Sequence, residues 1–173
     1  MEKEKSKRSK ILYIFIASAI VIAIVSMTIG REIYEGRNQS LTSFGLVHFS
    51  GYLFFLLMPV EMAFIYYLSF YSDLELIWVA LVTAFTAQFA DYIIGLFFRF
   101  KSLSAIVGEQ RILKAEKYIR KYGNLTIFVF NFLPLSSPVI ALAAGLLKYR
   151  FKDFALFSVL GLFLKYLVLS LIF

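Results

Sequence analysis

The chain of 173 residues is long enough for one domain or at most two, and 61% of its residues are apolar, against about 45–50% in soluble domains. This composition indicates a membrane protein. The net charge of +7 comes from Lys and Arg in tails and loops, so we interpret it as a topology and lipid-headgroup signal and expect no nucleic-acid binding. The absence of cysteine excludes disulfides and thiolate metal sites, and the single histidine, His48, disfavours zinc and histidine-base chemistry. We expect no metal and no cofactor.

Residues 1–43 are predicted to form a basic tail, a first transmembrane helix and an external loop. Five Lys or Arg residues lie within the first ten positions, and an uncharged apolar run then extends from 11 to 29. A helix needs roughly 20 such residues to cross a bilayer. Because a signal-peptide core is shorter, about 7–15 residues, we favour a retained anchor over a cleaved signal.

Four further apolar segments follow, and prolines interrupt two of them. The segments 44–71 and 124–147 contain all three prolines, whereas 76–98 and 154–173 contain none. Proline removes a backbone donor and breaks helical continuity. The two interrupted segments are therefore either kinked spanning helices or re-entrant hairpins.

The basic residues favour hairpins, because Lys and Arg accumulate on the cytoplasmic side of a membrane. If every segment crossed, the loop 99–123 with its seven basic residues would be external. If the two interrupted segments enter from opposite faces and return, fifteen of the eighteen basic residues are cytoplasmic. We therefore predict an all-α integral membrane protein with three transmembrane helices and two opposed re-entrant hairpins in an inverted repeat. The N terminus would be cytoplasmic and the C terminus external, and the prokaryotic plasma membrane is the expected location.

The connector 99–123 is predicted to contain a basic amphipathic helix, since basic and apolar residues alternate at helical spacing from Glu109 to Tyr122. Such a helix either lies in the membrane interface or forms a solvated linker, and the pattern leaves both open. Its candidate lipid-surface contacts are Arg111, Lys114, Lys117, Arg120 and Lys121.

Three charged residues lie within apolar segments: Glu61, Asp91 and Lys165. A charge in the middle of a membrane costs roughly 2.5–3.5 kcal/mol on insertion scales, so each is a functional candidate. Glu61, Asp91 and Lys165 are candidates for a transport path, and the two carboxylates would link it to protons. Alternatively, either carboxylate forms a static pair with Lys165 that fixes helix packing.

The interrupted segments supply a second group of candidates at the expected hairpin tips. Their polar side chains and freed backbone groups would either bind a phosphate headgroup or satisfy the broken helix, and the residues do not decide between these roles. We expect His48 to be a hydrogen-bonding residue near the interface, and the aromatic residues to be mainly lipid-facing. The tip and headgroup candidates are Pro59, Asn131, Pro134, Ser136, Ser137 and Pro138.

Several short motifs lie across residues 44–173: Pro59-Val60-Glu61, Asp91 to Gly95, Tyr122-Gly123, Asn131 to Pro134, Ala143 to Leu146, and Phe151 to Phe154 leading to Gly161. Together they resemble the DedA family, also called the VTT or SNARE-associated Golgi protein group. The resemblance implies two facing re-entrant hairpins in a helical bundle and a group that includes lipid flippases and scramblases, among them carriers of undecaprenyl phosphate. Many bacterial members have arginines flanking the second-hairpin proline, where this chain has Asn131 and Ser136 or Ser137.

The expected function is movement of a lipid or lipid-phosphate between leaflets, with anionic or phosphate-bearing membrane lipids as partners and homo-oligomerisation left open. The alternative is a non-transporting scaffold that organises lipids or proteins through the basic connector. We expect no enzymatic activity, because the chain has no Gly-x-Ser-x-Gly with a partner histidine and no clustered metal carboxylates.

Overall fold

The computed structural model describes residues 40–53, 60–98, 100–133 and 137–173. Within these ranges the regular secondary structure is helical, without strands. The expected first span at 11–29 and the candidates Pro59, Pro134 and Ser136 lie outside the described residues. The helices are α1 (Leu41–Tyr52), α2 (Val60–Tyr67), α3 (Asp73–Phe97), α4 (Phe100–Val107), α5 (Glu109–Tyr122), α6 (Asn124–Phe132), α7 (Ser137–Leu146) and α8 (Phe151–Ile172).

Two of the described helices, α3 and α8, are long and apolar enough to cross a membrane. Their 25 and 22 residues correspond to about 37 and 33 Å, against a hydrocarbon core of about 30 Å. Both begin three residues earlier than predicted. The first turn of α3 contains Asp73 and Glu75, and that of α8 contains Asp153, and carboxylates there stabilise the positive end of the helix dipole.

Both proline-containing segments are interrupted, as predicted. Leu53 after α1 and Leu133 after α6 adopt extended backbone conformations, so each helix ends before its proline region. The helices α1, α2, α6 and α7 have only 8 to 12 residues, or about 12–18 Å. Pro138 lies in the first turn of α7, where a helix tolerates the missing N–H.

The connector forms two helices, separated at Gly108, whose φ of 95° is unfavourable for other residues. The predicted helix from Glu109 to Tyr122 is present as α5. Its buried residues are Ile112, Ala115 and Ile119, and they belong to the same core as α7, on which α5 packs. The apolar stripe of α5 is therefore covered by the protein itself.

The helices surround two apolar cores that share α3 and α8. One core joins α1 and α2 to the first half of α3 and the second half of α8. The other joins α5, α6 and α7 to the second half of α3 and the first half of α8. The helices α3 and α8 consequently run past each other in opposite directions.

Glycines set the closest helix contacts. A Cβ on Gly145 of α7 would lie 2.1 Å from the carbonyl oxygen of Tyr92 in α3, and one on Gly161 of α8 would lie 2.6 Å from that of Phe128 in α6. No side chain fits at either position, so the backbones touch. Asp91 and Asn131 lie directly beside these two crossings and are therefore enclosed.

Candidate functional site

A buried ion pair joins α8 to α2. The Lys165 ammonium lies 3.1 Å from Glu61 Oε1 and donates a hydrogen bond of 2.6 Å to the Tyr52 hydroxyl. The two partners differ in exposure, at 5% for the Lys165 side chain and 25% for that of Glu61. Of the two carboxylates that were candidates for pairing with Lys165, Glu61 is therefore the partner.

The local structure explains how these groups meet. Glu61 lies in the first turn of α2, where the helix dipole favours a carboxylate. Lys165 lies on the buried stripe of α8, which returns every three or four residues and also contains Ser158, Gly161 and Tyr166. Tyr52 is the last residue of α1, so three separate helices position the pair and its neutral ligand.

A chain of hydrogen bonds extends from Lys165 across the core. The Tyr52 hydroxyl lies 2.8 Å from the Tyr166 hydroxyl, which lies 2.7 Å from His48 Nε2. On the other side of the ring, His48 Nδ1 lies 2.8 Å from Thr83 Oγ1. We call these four residues together with Lys165 the tyrosine–histidine chain.

Thr83, at the end of the tyrosine–histidine chain farthest from Lys165, determines which group donates in each of its hydrogen bonds. Thr83 donates its only hydroxyl hydrogen to backbone carbonyls one turn earlier, at 2.7 Å to Val79 O, so it accepts from His48 Nδ1. A neutral His48 then has Nε2 as an acceptor for Tyr166, and Tyr166 accepts from Tyr52. Each residue of the tyrosine–histidine chain therefore donates to the next residue away from Lys165, and the Tyr52 oxygen accepts from the ammonium.

The surroundings of Lys165 suit a cation. Its Nζ lies 5.2 and 5.6 Å from the ring centroids of Tyr52 and Tyr166, within cation–π range. An ammonium has three donors, and the described residues accept two of them. One hydrogen of the ammonium is therefore left without an acceptor among the described residues.

A second group of polar side chains, the central polar cluster, lies where α3, α6 and α8 meet. Gln88 donates a short hydrogen bond from Nε2 to Asn131 Oδ1. Asn131 donates from Nδ2 to Ile127 O at 2.9 Å and to Ser158 Oγ at 3.3 Å. Asn131, a predicted headgroup candidate, therefore has its amide bonded inside the protein. Ser137 and Pro138, two further candidates, are also buried.

Asp91 follows Gln88 by three residues among the buried residues of α3 and is 1% exposed. Its Oδ2 has no hydrogen-bond partner among the described residues, and the same holds for Gln88 Oε1. The structure thus separates the charged candidates, because Glu61 of α2 meets Lys165 of α8, while Asp91 lies one turn from Gln88 on α3.

The basic residues of α5 are all exposed, and we call Arg111, Lys114, Lys117, Arg120 and Lys121 the basic face. Lys121 lies over the Tyr122 ring at 4.8 Å. In the described ranges no group of three or more His, Cys, Asp or Glu side chains could hold a metal ion.

Sequence reasoning missed several members of both sites. His48 forms hydrogen bonds, as expected, and it does so as a fully buried residue of the bundle. The expectation that aromatic residues are mainly lipid-facing is wrong for Tyr52 and Tyr166, which are buried. Gln88 and Ser158 carried a usable signal, since each is a polar residue inside an apolar segment.

Two apolar helices of membrane-spanning length, with an ion pair between helices of the bundle, are features typical of a membrane protein with a polar internal site. A sequence model of the VTT domain matches residues 42–173. The chain therefore belongs to the VTT domain family, the membrane-associated DedA and SNARE-associated Golgi protein family, as the motifs indicated. Searches of curated proteins and of solved structures found no match.

Proposed function

We propose that this protein moves a lipid or lipid-phosphate between membrane leaflets, as a flippase or scramblase, and that Lys165 binds the headgroup anion. The observation that carries the proposal is the buried ammonium, which is 5% exposed and held by Tyr52 and Glu61. A charge enclosed among membrane helices is costly to retain, which favours a functional role. Anionic or phosphate-bearing lipids are the proposed partners.

The geometry supports an exchange at the ion pair. A headgroup phosphate would replace Glu61 at the Lys165 ammonium, while the acyl chains remain in the bilayer. Glu61 is the more exposed partner, so it can turn away once its cation is occupied. One proton bound per phosphate would keep the net charge of the site low, and this makes the proposed transport proton-linked. Asp91 would line the polar region next to this path.

The proposed topology has two re-entrant hairpins, α1 with α2 and α6 with α7, entering from opposite faces, and α3 and α8 as spanning helices in an inverted repeat. Helices of about 12–18 Å are too short to cross, and the opposite directions of α3 and α8 fit the repeat. We place the N terminus in the cytoplasm, the C terminus outside, and the protein in a prokaryotic plasma membrane.

Single cysteines test this topology, because the chain contains none. Asp73 is the first residue of α3 and Arg150 directly precedes α8, so Asp73→Cys and Arg150→Cys report on the two ends. A membrane-impermeant maleimide added outside intact cells should label position 73 and not position 150. Labelling of position 73 from the cytoplasmic side only would contradict the hairpin arrangement.

Lipid translocation in liposomes tests the function. The purified protein would be reconstituted with a fluorescent lipid, and a quencher added outside would report exchange. Wild type should exceed protein-free liposomes, and Glu61→Ala should fall towards that baseline. Asp153→Asn is the matched control, since Asp153 pairs with the exposed Arg150 at 3.4 Å. Wild-type exchange at the protein-free rate, with several headgroups and an imposed pH gradient, would contradict the proposal.

A scaffold function is the second candidate, and the exposed basic face of α5 favours it. Because the apolar stripe of α5 packs on α7, the basic face is directed away from the protein and can meet anionic headgroups or an acidic partner. If the protein is a scaffold, neutralising the basic face should abolish its function in cells, and Glu61→Ala should have no effect on that function. The transporter predicts the reverse.

A further inference from the structure

Two hydrogen-bond acceptors are left unsatisfied in the middle of the bundle. They are Asp91 Oδ2 and Gln88 Oε1, both buried and both without a donor among the described residues. An unpaired buried polar atom costs about 1–3 kcal/mol, and a charged one more. Because both atoms lie on α3, a single donor between them would remove both costs.

The orientation of the Gln88 amide follows from its neighbour. Asn131 Nδ2 contacts the backbone carbonyl of Ile127, which can only accept, so that end of the Asn131 amide is the donor. Asn131 Oδ1 must then be the acceptor, and the group that contacts it is Gln88 Nε2. Gln88 Oε1 is thereby left as an acceptor that Asn131 cannot serve.

Asp91 lies one turn after Gln88 on the same buried face of α3. Residues three apart on a helix are neighbours, about 5–6 Å between Cβ atoms, and side chains lean towards the preceding turn. The Asp91 carboxyl group is therefore directed to the turn that holds Gln88.

No described cation is available to Asp91. Among the helices packed on α3, α7 contains no titratable side chain, and α6 of the central polar cluster contains none either. On α8, Lys152 is exposed, and Lys165 bonds Glu61 of α2 and Tyr52. On α1, His48 has both ring nitrogens bonded, to Thr83 and Tyr166.

We propose that Asp91 holds a proton in the folded protein and that its O–H donates to Gln88 Oε1. One hydrogen then satisfies both orphaned acceptors, whereas an ionised Asp91 would face a carbonyl oxygen without any donor. This buried proton site is separate from the Glu61–Lys165 pair, and it stands whether or not the protein moves lipids.

Infrared spectroscopy of the purified protein tests the site directly. The chain has three aspartates, of which Asp73 is exposed and Asp153 is paired with Arg150. In protein labelled with ¹³C-aspartate we expect, at neutral pH, a protonated carboxylic-acid band that shifts with the label and on exchange into D₂O. Asp91→Asn should remove it, Gln88→Leu should move it, and Asp153→Asn should leave it unchanged.

Two results would overturn the proposal. One is a labelled sample without a protonated aspartate band at neutral pH. The other is a carboxylate band from Asp91 that responds to sodium, which would mean that a cation occupies the site. If Asp91→Asn fails to fold, the ¹³C shift in wild type and the response to Gln88→Leu still decide the question.

Discussion

Replacing Glu61 by glutamine should destabilise the protein more than replacing Lys165 by methionine, although both changes break the same ion pair. The reason is the difference in exposure, 5% for Lys165 and 25% for Glu61. After Glu61→Gln, the ammonium remains buried with Tyr52 as its described ligand. After Lys165→Met, the carboxylate left behind can reach water.

Removing one partner of a buried pair costs about 3–5 kcal/mol when the other charge stays enclosed, and exposed pairs are worth about 0–1 kcal/mol. We therefore expect about 3 kcal/mol for Glu61→Gln and about 1 kcal/mol for Lys165→Met. The double variant buries no charge at this site and should recover most of the loss.

Equilibrium unfolding in mixed micelles, with the two single variants and the double variant, gives the three free energies needed for the cycle. A Lys165→Met variant that loses as much stability as Glu61→Gln would refute the reasoning from exposure. A double variant as unstable as Glu61→Gln would show that the uncompensated charge is not the source of the cost.

The remaining predictions concern packing, the tyrosine–histidine chain and the basic face. Gly145→Ala should cost about 1–3 kcal/mol in unfolding because its Cβ would meet a backbone oxygen at 2.1 Å. Gly45→Ala, whose Cβ would lie 3.4 Å from its nearest neighbour, should stay within about 0.5 kcal/mol, and equal losses would contradict the account. Tyr52→Phe removes a hydrogen bond to a charged group and should cost about 1.5–3 kcal/mol in unfolding. An unchanged unfolding curve would contradict a stabilising role of the tyrosine–histidine chain. Changing the basic face to glutamine should weaken the association of spin-labelled anionic lipid by about 1 kcal/mol per residue and leave unfolding unchanged, whereas unaltered lipid association would exclude a headgroup role.

Much of the fold was predictable because it depends on local patterns. Apolar length predicted α3 and α8, proline predicted that a helix ends within each interrupted segment, as it does at Leu53 and Leu133, and alternating charge predicted α5 from Glu109 to Tyr122. Helix starts were predicted three residues late at α1, α3 and α8, because the first turn of a helix is often polar. At α1, Ser40 caps the helix by accepting from the Ser43 N–H at 3.1 Å.

The candidate site was predictable only in part, because it depends on which helices meet. Charge within apolar segments selected Glu61, Asp91 and Lys165, and all three are partly or fully buried. The choice of Glu61 as the partner of Lys165 follows from the packing of α2 on α8, which no local pattern encodes. Tyr52 and Tyr166 resemble the other aromatic residues in sequence, and only their hydrogen bonds distinguish them.

The same limit applies to the connector. Alternation of charge correctly predicted an amphipathic helix, but the pattern cannot tell whether its apolar stripe meets lipid or protein. The structure shows protein, since Ile112 and Ile119 share a core with α7. The positive charge is then the part of α5 that remains for an external partner.

The most direct test of the proposed function compares two lipids that differ in the headgroup phosphate, reconstituted with wild type or with Lys165→Met. One is a fluorescent phospholipid and the other is a fluorescent diacylglycerol, which lacks the phosphate but has the same chains. Wild type should accelerate translocation of the phospholipid above the protein-free rate, and Lys165→Met should abolish this acceleration while remaining folded. Acceleration that survives Lys165→Met, or that is the same for both lipids, would contradict the claim that Lys165 binds the headgroup anion.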